Sequence, residues 1–185
     1  MSMSGTLATM GSSVPYALAA KFAFSRRVVI ATAGDGAMQM SGNAALIDVA
    51  KHWRKWDDPR LIVLVLNNRD LNYVTWEQRV MEGEPRFEEA QALPDFPFAR
   101  YAELLGLKGI RVDSPAGVGP AWDEALASDR PVVIEAFVSA DVPTVPPTLK
   151  KKQVEKLEQA LAAGDPSAEA IREQMRRQEV RQEDQ

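Results

Sequence analysis

The chain has no cysteine and a single histidine, His52. The first absence excludes disulfides, thiolate metal sites and a cysteine nucleophile. The second leaves no histidine cluster for a metal and no histidine-based triad, so His52 reads as a packing or helix-surface residue. Long apolar runs are missing too, none approaching the roughly 20 residues that a membrane-spanning helix needs. Residues 1–10 lack the basic start and long apolar core of a signal peptide. Positive charge is not in excess: the formal net charge is -4, which gives no electrostatic reason to expect nucleic acid or an anionic membrane as partner. A cytoplasmic location is the simplest expectation from these absences. What is present is ordinary for a globular protein, 45% apolar and 26% charged over 185 residues. That length suits one α/β domain with an extension.

Four short apolar, β-branched runs read as strands: residues 28–33, 61–66, 108–112 and 131–137. Runs of this kind mark strands covered on both faces. Helical stretches lie between them, at residues 12–24 and 42–55, and from Ser114-Pro115 to about Ala127, where serine before proline predicts an N-cap. Strands alternating with helices imply a three-layer α/β/α fold with a mostly parallel sheet. Residues 81–97 are acidic, contain Pro85, Pro94 and Pro97, and read as a solvated surface excursion. The proline cluster Pro143, Pro146 and Pro147 ends the domain near residue 148. Residues 149–185 then form a charged helical tail, with a thin stripe of Leu149, Val154, Leu157 and Leu161. Gly164-Asp165-Pro166 is expected to stop one tail helix and cap the next.

Two strand ends carry chemistry. Gly34-Asp35-Gly36-Ala37 follows the first strand, and Asn67-Asn68 ends the second. The glycines suit a tight turn and close approach of the backbone to a ligand, and amides at a following helix start can donate to phosphate. A carboxylate in such a loop repels phosphate unless a divalent cation lies between them. The pair therefore makes sense as a phosphate-plus-metal site with hard oxygen ligands, which suits Mg2+. The 30 residues between Gly36 and Asn67 allow one crossover helix and a strand, so adjacent parallel strands would bring aspartate and asparagine to one edge. The dinucleotide fingerprint would want a glycine where Gln39 stands, and the phosphate-loop lysine pattern is absent.

Gly-Asp-Gly followed after some thirty residues by Asn-Asn resembles the signature of the thiamine-diphosphate enzymes. The likeness extends over most of residues 5–148 and is closest to the pyruvate oxidase and acetolactate synthase group. Gly5-Thr6-Leu7-Ala8-Thr9-Met10-Gly11 with Pro15, Phe98-Ala99-Arg100-Tyr101-Ala102, Gly109-Ile110-Arg111-Val112 and Val145-Pro146-Pro147 all carry it. The resemblance implies that Asp35, the Asn68 side chain and the Asp70 carbonyl bind Mg2+. It implies diphosphate on the Gly36 and Ala37 amides beside Gly34, Met10 propping the bent thiamine diphosphate, and the Ala8 carbonyl facing its aminopyrimidine. Tyr73, Val74 and Glu77 fall where pyruvate oxidases set an aromatic, an aliphatic and a glutamate beside the thiazolium.

Departures leave the substrate open: Asn72 stands where a glycine is common, and Trp76 is one position early for the acetolactate synthase tryptophan. Members of the group carry a separate pyrimidine-binding domain, whose glutamate drives cofactor ionisation, and a first strand before the cofactor-facing turn. Neither has a match here. The expected activity is thus decarboxylation of a 2-oxo acid such as pyruvate, needing a pyrimidine-binding domain in cis or in trans, in a homo-oligomer. FAD would belong only to the complete enzyme and not to this chain alone. An acetolactate synthase-like carboligase, a non-catalytic cofactor- or partner-binding subunit and a plain nucleotide-binding module are the alternatives.

Overall fold

The structure, a computed structural model, describes residues 9–142 and 150–183, with side chains as far as residue 177. The chain divides into two compact units, one of residues 1–67 with 95–138, the other of residues 68–94 with 139–185.

The first unit is a parallel sheet between helices. It contains α1 (Ser13–Ala23), β1 (Val29–Gly34), α2 (Asp35–Ala37), a wide π-type turn over Met38–Gly42, α3 (Asn43–His52) and β2 (Leu61–Asn67). The chain returns to this unit for α6 (Phe98–Leu104), β3 (Lys108–Val112), α7 (Val118–Leu126) and β4 (Val132–Phe137). The strands lie in the order β1-β2-β4-β3, all parallel. Each begins or ends within one residue of its apolar run, because side chains such as Ile62, Val63, Val133 and Ile134 need cover on both sheet faces.

One face packs Ala31, Leu61, Val63, Val65 and Val133 against Val14 and Ala17 of α1, Leu46 and Val49 of α3, and Phe98 of α6. The other packs Ile62, Val132 and Ile134 against Ala121 and Ala125 of α7. This is the expected three-layer arrangement. Trp56 joins the first core, and His52 meets the ring of Phe22 edge-on at 5.2 Å, the packing role expected of it. Ser114 does precede a proline at the start of a helical segment, but its side chain makes no capping bond. A 3₁₀ turn over Pro115–Gly117 comes before α7.

The second unit is helical. It holds α4 (Asn72–Glu77), a second π-type turn over Gln78–Glu82, α5 (Glu88–Gln91), α8 (Lys151–Ala162) and α9 (Ala168–Glu183). Its core is Trp76, Val80, Leu157, Leu161 and Ile171. The tail stripe is therefore buried against the 68–94 segment at Leu157 and Leu161, whereas Val154 is exposed and Leu149 lies outside the described residues. The compact units thus divide elsewhere than at residue 148. Gly164, at φ +102, ends the first tail helix, and Oδ1 of Asp165 accepts the Ser167 N–H at 2.9 Å to open the second, as expected.

The acidic segment is less free than its composition suggests. The Leu71 N–H donates to the Gln91 carbonyl at 2.8 Å, Leu93 donates to Arg69 at 2.9 Å, and the buried Gln91 side chain accepts from Phe87 N–H. Its carboxylates Glu82, Glu84, Glu88 and Glu89 still face solvent, while the backbone is tied down. Among the described residues no helix is long and apolar enough to cross a membrane.

Candidate cofactor site at the strand ends

β1 and β2 pair in register, Gly34 opposite Leu66, so Asp35 and Asn67 leave the sheet at the same level. The expected turn at Gly34-Asp35-Gly36 is instead a direct passage from strand to helix. Gly34 is extended at φ -79 and ψ 162, and Asp35 opens a helical run that continues through the π-type turn to His52. Neither Gly34 nor Gly36 uses the left-handed region. A Cβ at Gly34 would meet nothing within 4 Å, so neither backbone conformation nor packing demands glycine there, and the backbone is open to close approach.

Asp35 is only 4% exposed, and its Oδ1 accepts the Gly36 N–H at 2.8 Å. An anionic side chain at the start of a helical run is favoured by the helix dipole.

Gly11 has a different need. It sits at φ +88, and a Cβ on it would lie 2.6 Å from Oγ of Ser41, whose hydroxyl donates to the Gly11 carbonyl. This close approach holds the Met10 turn against the residues that follow Asp35. Met10, Gly11, Gly34 and Ala37 line one groove of ≈ 930 Å³ together with Tyr16 and Ile30. Three of the sequence-predicted cofactor residues thus share a wall. Ala8 lies outside the described residues.

The two asparagines divide their labour. Nδ2 of Asn67 donates to Oε1 of Glu135 at 2.8 Å, inside the sheet unit. Oε2 of Glu135 accepts the Ala99 N–H at 3.0 Å, which satisfies an orphan amide at the start of α6. Asn67 is therefore committed to the fold. Glu135 was missed in the sequence, although a lone carboxylate inside Val132-Val133-Ile134-Glu135 was a signal that donors must meet it there.

Asn68 begins the helical unit, and its Oδ1 accepts the Asp70 N–H at 3.1 Å. Asp70 is buried, and its carboxylate is held by Oγ1 of Thr75 at 3.1 Å and Nδ2 of Asn72 at 3.3 Å. Arg69 between them takes φ +57, a conformation uncommon for a side-chain-bearing residue, so the loop is tightly bent. Asn72, a departure from the family pattern, has a structural use here, since it also donates to the Ala140 carbonyl at 2.8 Å.

On α4 the outward face carries Tyr73, Val74 and Glu77, the first two 69% and 48% exposed. Thr75 and Trp76 turn inward, as does Arg79 in the π-type turn that follows. The three predicted substrate-side residues thus share one exposed face, separate from the packed one. Both π-type turns follow directly on candidate site residues, a placement common for this rare geometry.

Asp35 in the sheet unit, and Asn68 with a main-chain carbonyl in the helical unit, each offer hard oxygen donors of the kind Mg2+ takes, and nothing lies within 4 Å of a Cβ placed at Gly34, beside the start of the helical run.

A family model described as the thiamine pyrophosphate enzyme C-terminal TPP binding domain matches residues 1–136. YdaP of Bacillus subtilis (strain 168) is 34% identical over 141 residues, 76% of this chain and 23% of that protein. The acetolactate synthase isozyme 3 large subunit of Escherichia coli (strain K12) is 34% identical over 128 residues, 69% of this chain and 21% of that one. Among solved structures, the thiamine diphosphate-dependent 4-hydroxybenzoylformate decarboxylase of Rhodococcus jostii RHA1 superposes with a TM-score of 0.61 at 25% identity. The match covers 70% of this chain and 23% of that one. The chain thus spans less than a quarter of the length of these relatives. With the signature aspartate buried at the end of a parallel strand and the family model covering residues 1–136, this chain belongs to the thiamine pyrophosphate enzymes, as their C-terminal cofactor-binding domain.

Proposed function

We propose that the chain is the diphosphate- and Mg2+-binding part of an enzyme acting on a 2-oxo acid such as pyruvate. The observation that carries this reading is Asp35, a buried carboxylate at the junction of strand and helix beside backbone open to a ligand. Mg2+ would be held by Asp35, the Asn68 side chain and the Asp70 carbonyl. The Gly36 and Ala37 amides would hold the diphosphate. Met10 would prop the cofactor, and the Ala8 carbonyl would face its pyrimidine. Thiamine diphosphate, when bound, supplies the electron sink for breaking the bond next to the 2-oxo group, and the protein supplies binding and orientation.

Tyr73, Val74 and Glu77 would face the substrate, Glu77 holding or moving a proton and the other two shaping and drying the pocket. The relatives favour the acetolactate synthase-like carboligase over the oxidase as the complete reaction. 4-Hydroxybenzoylformate is itself a 2-oxo acid, so the shared element is that substrate class.

The cofactor-ionising glutamate of the pyrimidine-binding domain has no match here, and acid–base help of that kind is worth roughly 10²–10⁴-fold. The test is carbon dioxide release from pyruvate with thiamine diphosphate and Mg2+ saturating. The purified chain alone should be silent, and activity should appear when a pyrimidine-binding domain is supplied and fall in Glu77→Gln. No activity with any such domain from the group would sink the reading, and turnover by the chain alone would show that it carries its own acid–base apparatus.

A further inference from the structure

Arg79 and Asp165 of the helical unit form an ion pair whose side chains are 2% and 0% exposed. Nε and Nη2 of Arg79 donate to Oδ2 and Oδ1 of Asp165 at 2.8 and 3.0 Å, a forked geometry that fixes both groups in one plane. The same carboxylate accepts the N–H of Arg86 at 2.9 Å and of Ser167 at 2.9 Å. Four donors on two oxygens satisfy a carboxylate that has left water. The Arg79 guanidinium also lies over the Trp76 ring, 4.8 Å from its centre.

The contacts continue beyond the pair. Arg86, whose N–H meets Asp165, brings Nε to 3.3 Å from Oδ1 of Asp70, close enough for attraction though not aligned as a hydrogen bond. Asp70 in turn accepts from Thr75 of α4, and its N–H donates to Asn68. A chain of buried and partly buried polar contacts therefore runs from the tail to the loop that holds Asn68 and Asp70, and a branch runs to α4. Buried ion pairs contribute little net stability compared with apolar packing of the same volume. Trp76, Val80, Leu157, Leu161 and Ile171 already join the tail to α4. What a forked pair adds is a fixed register between them.

We propose that Asp165 and Arg79 are positioning residues: through Arg86 and Asp70 they hold the Asn68–Asp70 loop in place for the cation, and through Arg79 they hold the Tyr73, Val74 and Glu77 face outward. The inference rests on the assignment of Asn68 and Asp70 to Mg2+. Outer-sphere partners of metal ligands typically change metal affinity by about 10–100-fold when removed.

The test uses the full chain with thiamine diphosphate present and compares Asp165→Asn with Leu161→Ala. Leu161 is buried in the same helical core but lies outside the polar chain. Three quantities are measured: Mg2+ affinity by calorimetry, the thermal midpoint, and hydrogen exchange of amides 68–77. Asp165→Asn should weaken Mg2+ binding by about tenfold or more and speed exchange at 68–77. Leu161→Ala should lower the midpoint at least as far while leaving Mg2+ affinity unchanged.

Unaltered Mg2+ affinity in Asp165→Asn, or equal weakening in both variants, would overturn the proposal. If the unmutated chain binds no Mg2+, the cofactor reading fails by itself, and exchange decides: faster exchange at 68–77 in Asp165→Asn alone supports positioning, and the same pattern in both variants overturns it. Should Asp165→Asn fail to fold, Arg79→Lys, which keeps the charge but loses the fork, takes its place with the same expectations.

Discussion

Three of the four buried acidic residues among those described meet burial in three ways. Asp35 lies at a helix start beside the Gly36 amide, Glu135 bridges two elements of the sheet unit, and Asp165 takes four donors. Glu135→Leu would leave Nδ2 of Asn67 and the Ala99 N–H without their partner. We expect a loss of roughly 1–3 kcal/mol, the usual cost of a buried unsatisfied group, read as a lower midpoint in thermal or urea denaturation. An unchanged midpoint would show that neither donor depends on Glu135. At this scale the sequence was most informative where a rare pattern met a physical conflict. An aspartate in a phosphate loop demanded a cation, so Asp35 could be singled out from its neighbours. Glu135 was legible only as an oddity, because its partners Asn67 and Ala99 lie 68 and 36 residues away.

The strands were readable because an apolar β-branched run states its own burial. The parallel pairing of β1 with β2 followed from the length between them. The second helical unit was not readable as a unit. Its core joins Trp76 and Val80 to Leu157, Leu161 and Ile171, and no local periodicity links segments so distant in the chain. The acidic composition of residues 81–97 describes its outer side chains and says nothing of the backbone bonds beneath.

The clasp between the π-type turn after α4 and the tail should be sensitive to acid. Burial alone would raise the Asp165 carboxyl, but the Arg79 hydrogen bonds, the N–H groups of Arg86 and Ser167 and the Arg79 charge outweigh it and hold the carboxyl below its ordinary value. Because the folded value lies below the unfolded one of about 3.9, the carboxylate stabilises the unit at pH above about 4. That contribution is lost as pH falls through the folded value. Proteolysis or hydrogen exchange in α8 should therefore accelerate on acidification below about pH 4, and Asp165→Asn should remove that part of the pH dependence. Equal acid sensitivity in the variant would place the titrating group elsewhere.

At the scale of the whole molecule, β1 borders the described sheet, paired to β2 alone, with Ile30 54% exposed. An edge of this kind is a template for further pairing, and we expect the purified chain to associate at micromolar concentration; a stable monomer in light scattering would contradict this. The claim on which the functional reading depends is that Asp35 joins a cation to a diphosphate, and calorimetric titration of thiamine diphosphate into the chain tests it most directly. Binding should appear with Mg2+, vanish when a chelator removes it, and be absent in Asp35→Ala with Mg2+ restored. Undiminished affinity in Asp35→Ala, or binding indifferent to the chelator, would contradict the site.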